Sequence, residues 1–167
     1  MLRVVRESGP GLLVPLAWVF VAGAQQGLIS PRSIFIAHLV MAGFISFFLL
    51  TGWAEMSTGA LAGWRAVMVV GLGITLAGIA GFLVTTASTV FLTTSLVGWM
   101  ILPAVGLAYT GRLLDQAATI YLASAALSGI GAVTFIFSLL GVGPGVVGIL
   151  LVGVGQTVGI VDAVVRF

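Results

Sequence analysis

The sequence predicts an all-α fold, a polytopic transmembrane helical bundle of six spans that forms one membrane domain over residues 1–167. Three observations predict it. Sixty per cent of the residues are hydrophobic and six per cent are charged, whereas a soluble domain carries about a quarter charged residues. The apolar residues fall in six runs, each near the ~20 residues that cross a hydrocarbon core of about 30 Å. The runs lack the alternation of a membrane barrel strand, and backbone polar groups in lipid must be paired within their own segment, so the runs are read as helices.

The first span covers residues 11–29. Arg3 and Arg6 ahead of it, with Ala22-Gly23-Ala24 inside it, also fit a secretory signal over residues 1–24 with a small-residue cleavage site; an uncleaved helix is the expectation taken. Ser30-Pro31 opens the second span, 33–53, with Ser as N-cap and Pro in the first turn. Ser57-Thr58-Gly59 breaks the chain before the third span, 65–84. Hydroxyl-bearing residues 85–89 mark the turn into the fourth, 90–109, and Thr110-Gly111-Arg112 closes it. The fifth span, 117–140, meets the sixth, 144–165, at the tight turn Gly141-Val142-Gly143-Pro144-Gly145.

Charge sets the expected orientation. With the N-terminus inside, Arg3, Arg6, Arg65, Arg112 and Arg166 fall on the cytoplasmic side and Arg32 alone outside, as short loops under the positive-inside rule require. Trp53, Trp64, Tyr109 and Tyr121 gather at that same face as an interfacial belt. The expected location is the cell membrane, multi-pass, with both termini cytoplasmic.

Composition narrows the chemistry. Six basic residues against four acids give a pI near 10.0, too few charges and no basic run for nucleic acid. There is no Cys and one His, which removes disulfides and thiol chemistry. No metal-ligand spacing, phosphate loop or nucleophile with a base appears, and the inventory is poor for an enzyme.

Twenty-four Gly residues predict close helix contacts, since small residues at four-residue spacing let backbones approach in lipid. Gly145, Gly148, Gly155 and Gly159, with Val152 and Asp162, form one narrow face of the sixth span, suited to internal packing or to self-association. Gly141/Gly145, Gly155/Gly159, Ala77/Gly81 and Ala125/Gly129 are small-residue pairs of the same kind. The two halves align weakly, which reads either as a 3+3 inverted repeat or as chance matching of Gly, Ala and Val-rich helices. Pro15 with Gly23 matches Pro103 with Gly111, residues 34–37 match 120–123, and residues 70–75 match 152–157.

Ionisable and amide groups inside spans are costly and are the first candidates for function. His38 lies roughly 12 Å along its helix from the Ser30 cap at 1.5 Å per residue. With Gln25, Gln26 and Arg32 it makes a polar cluster on the outer half, either a ligand or transport-path site or a packing histidine. Thr75 and Gln156 lie near mid-membrane, where they are transport-path candidates or bond each other across helices. Asp162 and Arg166, four residues apart, are expected to form a structural ion pair.

The stretch Ala37-His38-Leu39-Val40-Met41-Ala42-Gly43-Phe44-Ile45-Ser46, continuing to Gly52, resembles the second helix of heme-copper oxidase subunit I and its short membrane relatives. The resemblance covers about twenty residues, a single helix by length. It implies haem iron as the cofactor and metal, with His38 as axial ligand, and Met41, Met100 or a second subunit as the source of the other ligand.

Three functions follow as expectations. The first is an accessory or structural subunit of a membrane complex, such as a respiratory one, partnered by lipid and by other subunits or a second copy. The second is a small-solute or ion transporter or channel acting as an oligomer. The third is a haem-binding membrane protein through His38.

Overall fold

The computed structural model describes the backbone of residues 2–166 and the side chains of residues 9–166, so Arg3 and Arg6 lie outside the described side chains. Six α-helices follow one another, with no strand among the described residues: α1 Leu2–Gln25, α2 Pro31–Gly52, α3 Gly59–Leu83, α4 Ser88–Leu113, α5 Ala118–Leu139 and α6 Gly145–Arg166. Helices α2 to α6 are long and apolar enough to cross a membrane, and the apolar part of α1, Gly9–Gln25, is a shorter helix. The chain is a multi-pass membrane protein. Large apolar side chains such as Leu50, Leu83, Val90 and Leu140 point outward, where lipid is their natural solvent.

The helices outrun the apolar runs. Helix α3 begins at Gly59 and α4 continues to Leu113, because a helix satisfies its own backbone bonds and need not stop where hydropathy falls. Ser30 caps α2 as expected, its Oγ accepting from the Ser33 N–H at 3.2 Å, with Pro31 at the first position. Short 3-10 turns, Thr85–Ala87 and Asp115–Ala117, join α3 to α4 and α4 to α5. Gly141 and Gly143 stand at φ 81° and 77° in the turn from α5 to α6, a left-handed backbone that glycine adopts without steric cost.

Packing is antiparallel and chain-local. Helix α5 packs on α6, α3 on α4 and α4 on α5, while α1 leans on α6 and α2 on α3. Gly11 of α1 faces Val164 of α6, which places both ends of the described chain at one end of the bundle. The core falls in two clusters. Trp18, Met100, Ala132, Phe135, Ile149 and Val152 fill the middle, and Leu107, Ala117 and Tyr121 fill the end that carries the termini.

The glycine face of α6 is spent internally. Gly145 meets Ser138, Gly148 meets Gly131 and Phe135, Gly155 meets Ser124 and Ser128, and Gly159 meets Ser124 and Leu107. This decides between the two roles expected for that face, since the α5 backbone occupies it. Two other small-residue pairs do not pack in this way. A Cβ on Gly129 would meet nothing within 4 Å, and Gly141 belongs to a turn.

Two helix pairings follow the order of the possible repeat, but α1 does not pack on α2 as α4 packs on α5, and the first-helix alignment is out of register. Helix α3 packs on α4 as α6 packs on α1, and α2 on α3 as α5 on α6. Trp99 of α4 lies over Gly71 of α3, and Trp18 of α1 lies over Gly153 of α6. Gly71 and Gly153 are matched in the sequence alignment, but matching Pro15 to Pro103 sets Trp18 against Gly106, seven residues past Trp99. Seven residues is about two helical turns, so the slip preserves the helix face and hides in the apolar pattern.

Candidate functional site

Four helices are joined near mid-membrane by a chain of hydrogen bonds through Thr75, Trp99, Gln156 and Trp18. The Trp18 indole of α1 donates to Gln156 Oε1 at 3.0 Å. The Gln156 amide of α6 donates to the Trp99 and Met100 carbonyls of α4, at 3.1 and 3.2 Å. The Trp99 indole donates to Thr75 Oγ1 of α3 at 2.9 Å, and Thr75 donates on to the Gly71 carbonyl at 2.8 Å. Thr75 and Gln156 therefore do not bond each other, as one expectation had it; Trp99 stands between them, its indole serving one and its carbonyl the other.

Pro103 explains why an amide belongs here. It lies inside α4 and has no N–H, so the carbonyl four residues earlier, that of Trp99, loses its helical partner. In lipid that carbonyl has no water to turn to. Gln156 Nε2 fills the gap from another helix, and Gln156 is itself buried. Both amide hydrogens and the amide oxygen are engaged in packing.

A repeated motif holds α3 to α4, and the sequence reading missed it. Gly63-Trp64-x6-Gly71-x3-Thr75 in α3 recurs as Gly98-Trp99-x6-Gly106-x3-Thr110 in α4. Each threonine donates to the carbonyl of its own motif glycine and accepts from the tryptophan of the other helix: Trp99 to Thr75 at 2.9 Å, Trp64 to Thr110 at 3.0 Å. Each tryptophan ring lies against the other helix's glycine, and the leading glycines meet matched residues, Gly63 with Tyr109 and Gly98 with Ile74. The spacing does this because glycine and the threonine four residues on share a face. The identical spacing in both helices was the signal that could have revealed it.

His38 is placed away from its expected companions. Its Nδ1 lies 2.9 Å from the Ile34 carbonyl, and since a carbonyl only accepts, Nδ1 carries the proton. In the neutral ring Nε2 then offers a lone pair. That side of the ring faces α3: a Cβ on Gly78 would lie 2.5 Å from Nε2 and 2.7 Å from Ser95 Oγ of α4. Phe82 closes another side, edge-on at 5.7 Å. Gln25, Gln26 and Arg32 are exposed at the α1–α2 connection, and no contact joins them to His38. The ring edge that bears Nε2 is thus packed against Gly78, whose missing side chain makes room for it. Met100 lies in the mid-bundle cluster with Trp18, on α4 and α6 packing rather than beside His38. Among the described residues no group of three His, Cys, Asp or Glu could hold a metal ion.

At the end that carries the termini, Arg166 Nε donates to Asp162 Oδ2 at 2.7 Å. The Arg166 side chain is exposed to solvent, so Arg166→Gln is expected to leave the midpoint of a stability titration nearly unchanged. The Arg65 guanidinium sits 4.8 Å from the exposed Trp53 ring and Tyr109 is likewise exposed, which suits an interfacial belt. Tyr121 does not belong to it, being 1% exposed, because Gly111 of α4 seats directly against its Cβ. No protein-family model, curated protein or solved structure matches the chain.

Proposed function

We propose that this protein is a non-catalytic, accessory or structural subunit of a membrane complex, lying in the cell membrane with both termini cytoplasmic. A single observation carries the reading: the Gln156 amide and the Thr75 hydroxyl are bonded to tryptophan indoles of neighbouring helices and to backbone carbonyls, which makes them fasteners between helices. A transport path needs polar groups free to exchange partners with a solute. Gln156 has both amide hydrogens and its oxygen engaged, and Thr75 both donates and accepts. The resemblance of α2 to an oxidase helix makes a respiratory complex the case to examine first.

The test is purification in mild detergent from native membranes. A partner in fixed stoichiometry, retained through size exclusion and lost on disrupting the bundle, is the expected result. Homogeneous protein that carries protons or small ions across liposomes would replace this reading with the second one, a transporter acting as an oligomer. The pairing of α3 with α4 and of α6 with α1 favours that alternative, since inverted repeats of three helices are a transporter plan.

Two further outcomes are expected. The chain has no Cys, so single cysteines at Gln26 and Thr58 can be labelled from one side of the membrane at a time. Gln26 should react from outside and Thr58 from the cytoplasm; the reverse pattern would overturn the orientation. Purified protein, oxidised and then reduced, should show no haem band, with His38→Ala identical in the visible region. A band present in the wild type and lost in His38→Ala would restore the haem reading.

A further inference from the structure

The lipid-facing side of the α3–α4 pair carries an open groove of about 510 Å³, a size that ligand sites commonly have. Val70 and Ile74 of α3 form one wall, and Ile101 and Val105 of α4 the other. Gly98 lowers the floor between them, where a Cβ would stand 2.8 Å from Ile74 Cδ1. Thr93 and Thr94 border the same groove and are its polar members. Thr51, Thr75, Thr110 and Thr134 each donate to the carbonyl four residues earlier, whereas the Thr93 and Thr94 hydroxyls are not committed in that way. Helix α4 has 26 residues and is about 39 Å long at 1.5 Å per residue, close to the ~40–45 Å of a bilayer with its headgroups. Thr93 and Thr94 come five and six positions after Ser88, where α4 begins, or roughly 8–9 Å along the helix. The headgroup layer is about 6 Å deep on each side of the hydrocarbon core, so both hydroxyls sit at the edge of that core. From Thr93 to Val105 the groove runs for about 18 Å, against about 15 Å for half the core, and it ends near mid-membrane.

We propose that this groove binds one acyl chain of a glycerophospholipid, in the leaflet away from the termini, with Thr93 and Thr94 donating hydrogen bonds to its ester carbonyls. Polarity and length together select this occupant. The donors stand at the shallow end, at the depth where an esterified chain carries its carbonyl acceptors. Everything deeper is apolar, as the chain itself is. The groove stops after the length of a single leaflet, which matches a lipid chain. A transmembrane helix of a second copy or of another subunit would continue through the other leaflet and needs a contact face over the whole span. The site goes beyond the subunit reading and does not depend on it.

Photolabelling of the purified protein in liposomes tests this, using a phosphatidylcholine with a diazirine at the end of one acyl chain and peptide mass spectrometry as the readout. A chain seated at Thr93 ends beside Ile101 and Val105. Ala126 and Ile130 of α5 are also exposed near mid-membrane and report labelling by passing lipid. The expected result is labelling of residues 101–105 at least about threefold above residues 126–130, a free-energy preference of roughly 0.65 kcal/mol at RT ≈ 0.59 kcal/mol. Replacing both hydroxyls, Thr93→Val with Thr94→Val, keeps the side-chain shape and should bring the groove down to the α5 level. Val105→Phe leaves the hydroxyls in place, fills the deep end from an exposed position, and should abolish the preference independently. Equal labelling of the two faces in the wild type would overturn the proposal, since the groove would then be solvated like any other surface. A preference that survives loss of both hydroxyls would overturn it as well. So would a groove left unlabelled while α5 reacts, which would give this surface to a second copy.

Discussion

Gln156→Leu should destabilise the bundle by about 1–3 kcal/mol, the cost of leaving buried polar groups without partners. Leucine fills similar space, so the loss is one of bonding rather than packing. Two groups are stranded, the Trp18 indole N–H and the Trp99 carbonyl, and neither can reach water. The carbonyl is exposed to this loss only because Pro103 withholds the N–H that would otherwise bond it. Pro103→Ala restores that N–H and should recover part of the loss in the Gln156→Leu background. The measurement is a double-mutant cycle in reversible unfolding, read by tryptophan fluorescence. Strict additivity of the two substitutions would mean that Gln156 does not serve the proline-broken carbonyl. Measured interhelical bonds in membranes average about 0.6 kcal/mol, so a small total effect is compatible with the bond, but an absent coupling is not.

Gly148→Ala should be the most damaging single methyl in the protein. Its Cβ would lie 2.6 Å from the Gly131 carbonyl oxygen and 2.6 Å from the Phe135 nitrogen. Both obstacles are backbone atoms of α5, which cannot rotate aside, so α5 and α6 must move apart along their shared face. Overpacking of this kind costs about 1–3 kcal/mol and occasionally more. Gly73→Ala supplies the contrast. It adds the same methyl at an exposed site with nothing within 4 Å, and the higher helix propensity of alanine should stabilise by up to about 1 kcal/mol. Unfolding titrations of the two variants should therefore move in opposite directions from the wild type. A loss at Gly73 comparable to that at Gly148 would show that the α3 surface is covered by another molecule.

Between sequence and structure the site was legible in pieces. His38, Thr75, Gln156 and Asp162 stand out because polar side chains in apolar spans are few and costly. Their partners do not stand out. Trp18 and Trp99 read as ordinary apolar residues, and a tryptophan reveals its N–H bond only when a neighbouring helix is in place. The Asp162–Arg166 pair was legible because both members lie on one helix, four residues apart. The pairing of Thr75 with Gln156 was misjudged because depth alone does not say which helices touch.

Apolar runs and local turn signals are enough to identify a helical membrane protein, and to say where its helices lie and where they turn. Those properties depend on transfer of apolar residues into lipid and on local signals such as Ser30-Pro31 and Gly141–Gly143, all of which act within one segment. Helical spacing also marks Gly145, Gly148, Gly155 and Gly159 as one face of α6. Helix packing, which no single segment encodes, assigns this face to α5 and not to a second copy. Only that packing shows that Gln156 answers the gap left by Pro103 fifty-three residues earlier. The physical reason is common to both. In lipid, helix faces of Gly, Ala, Val and Leu have nearly equal hydrophobicity, so which face meets which is set by close fit and by rare cross-helix hydrogen bonds, and those exist only once the helices are side by side.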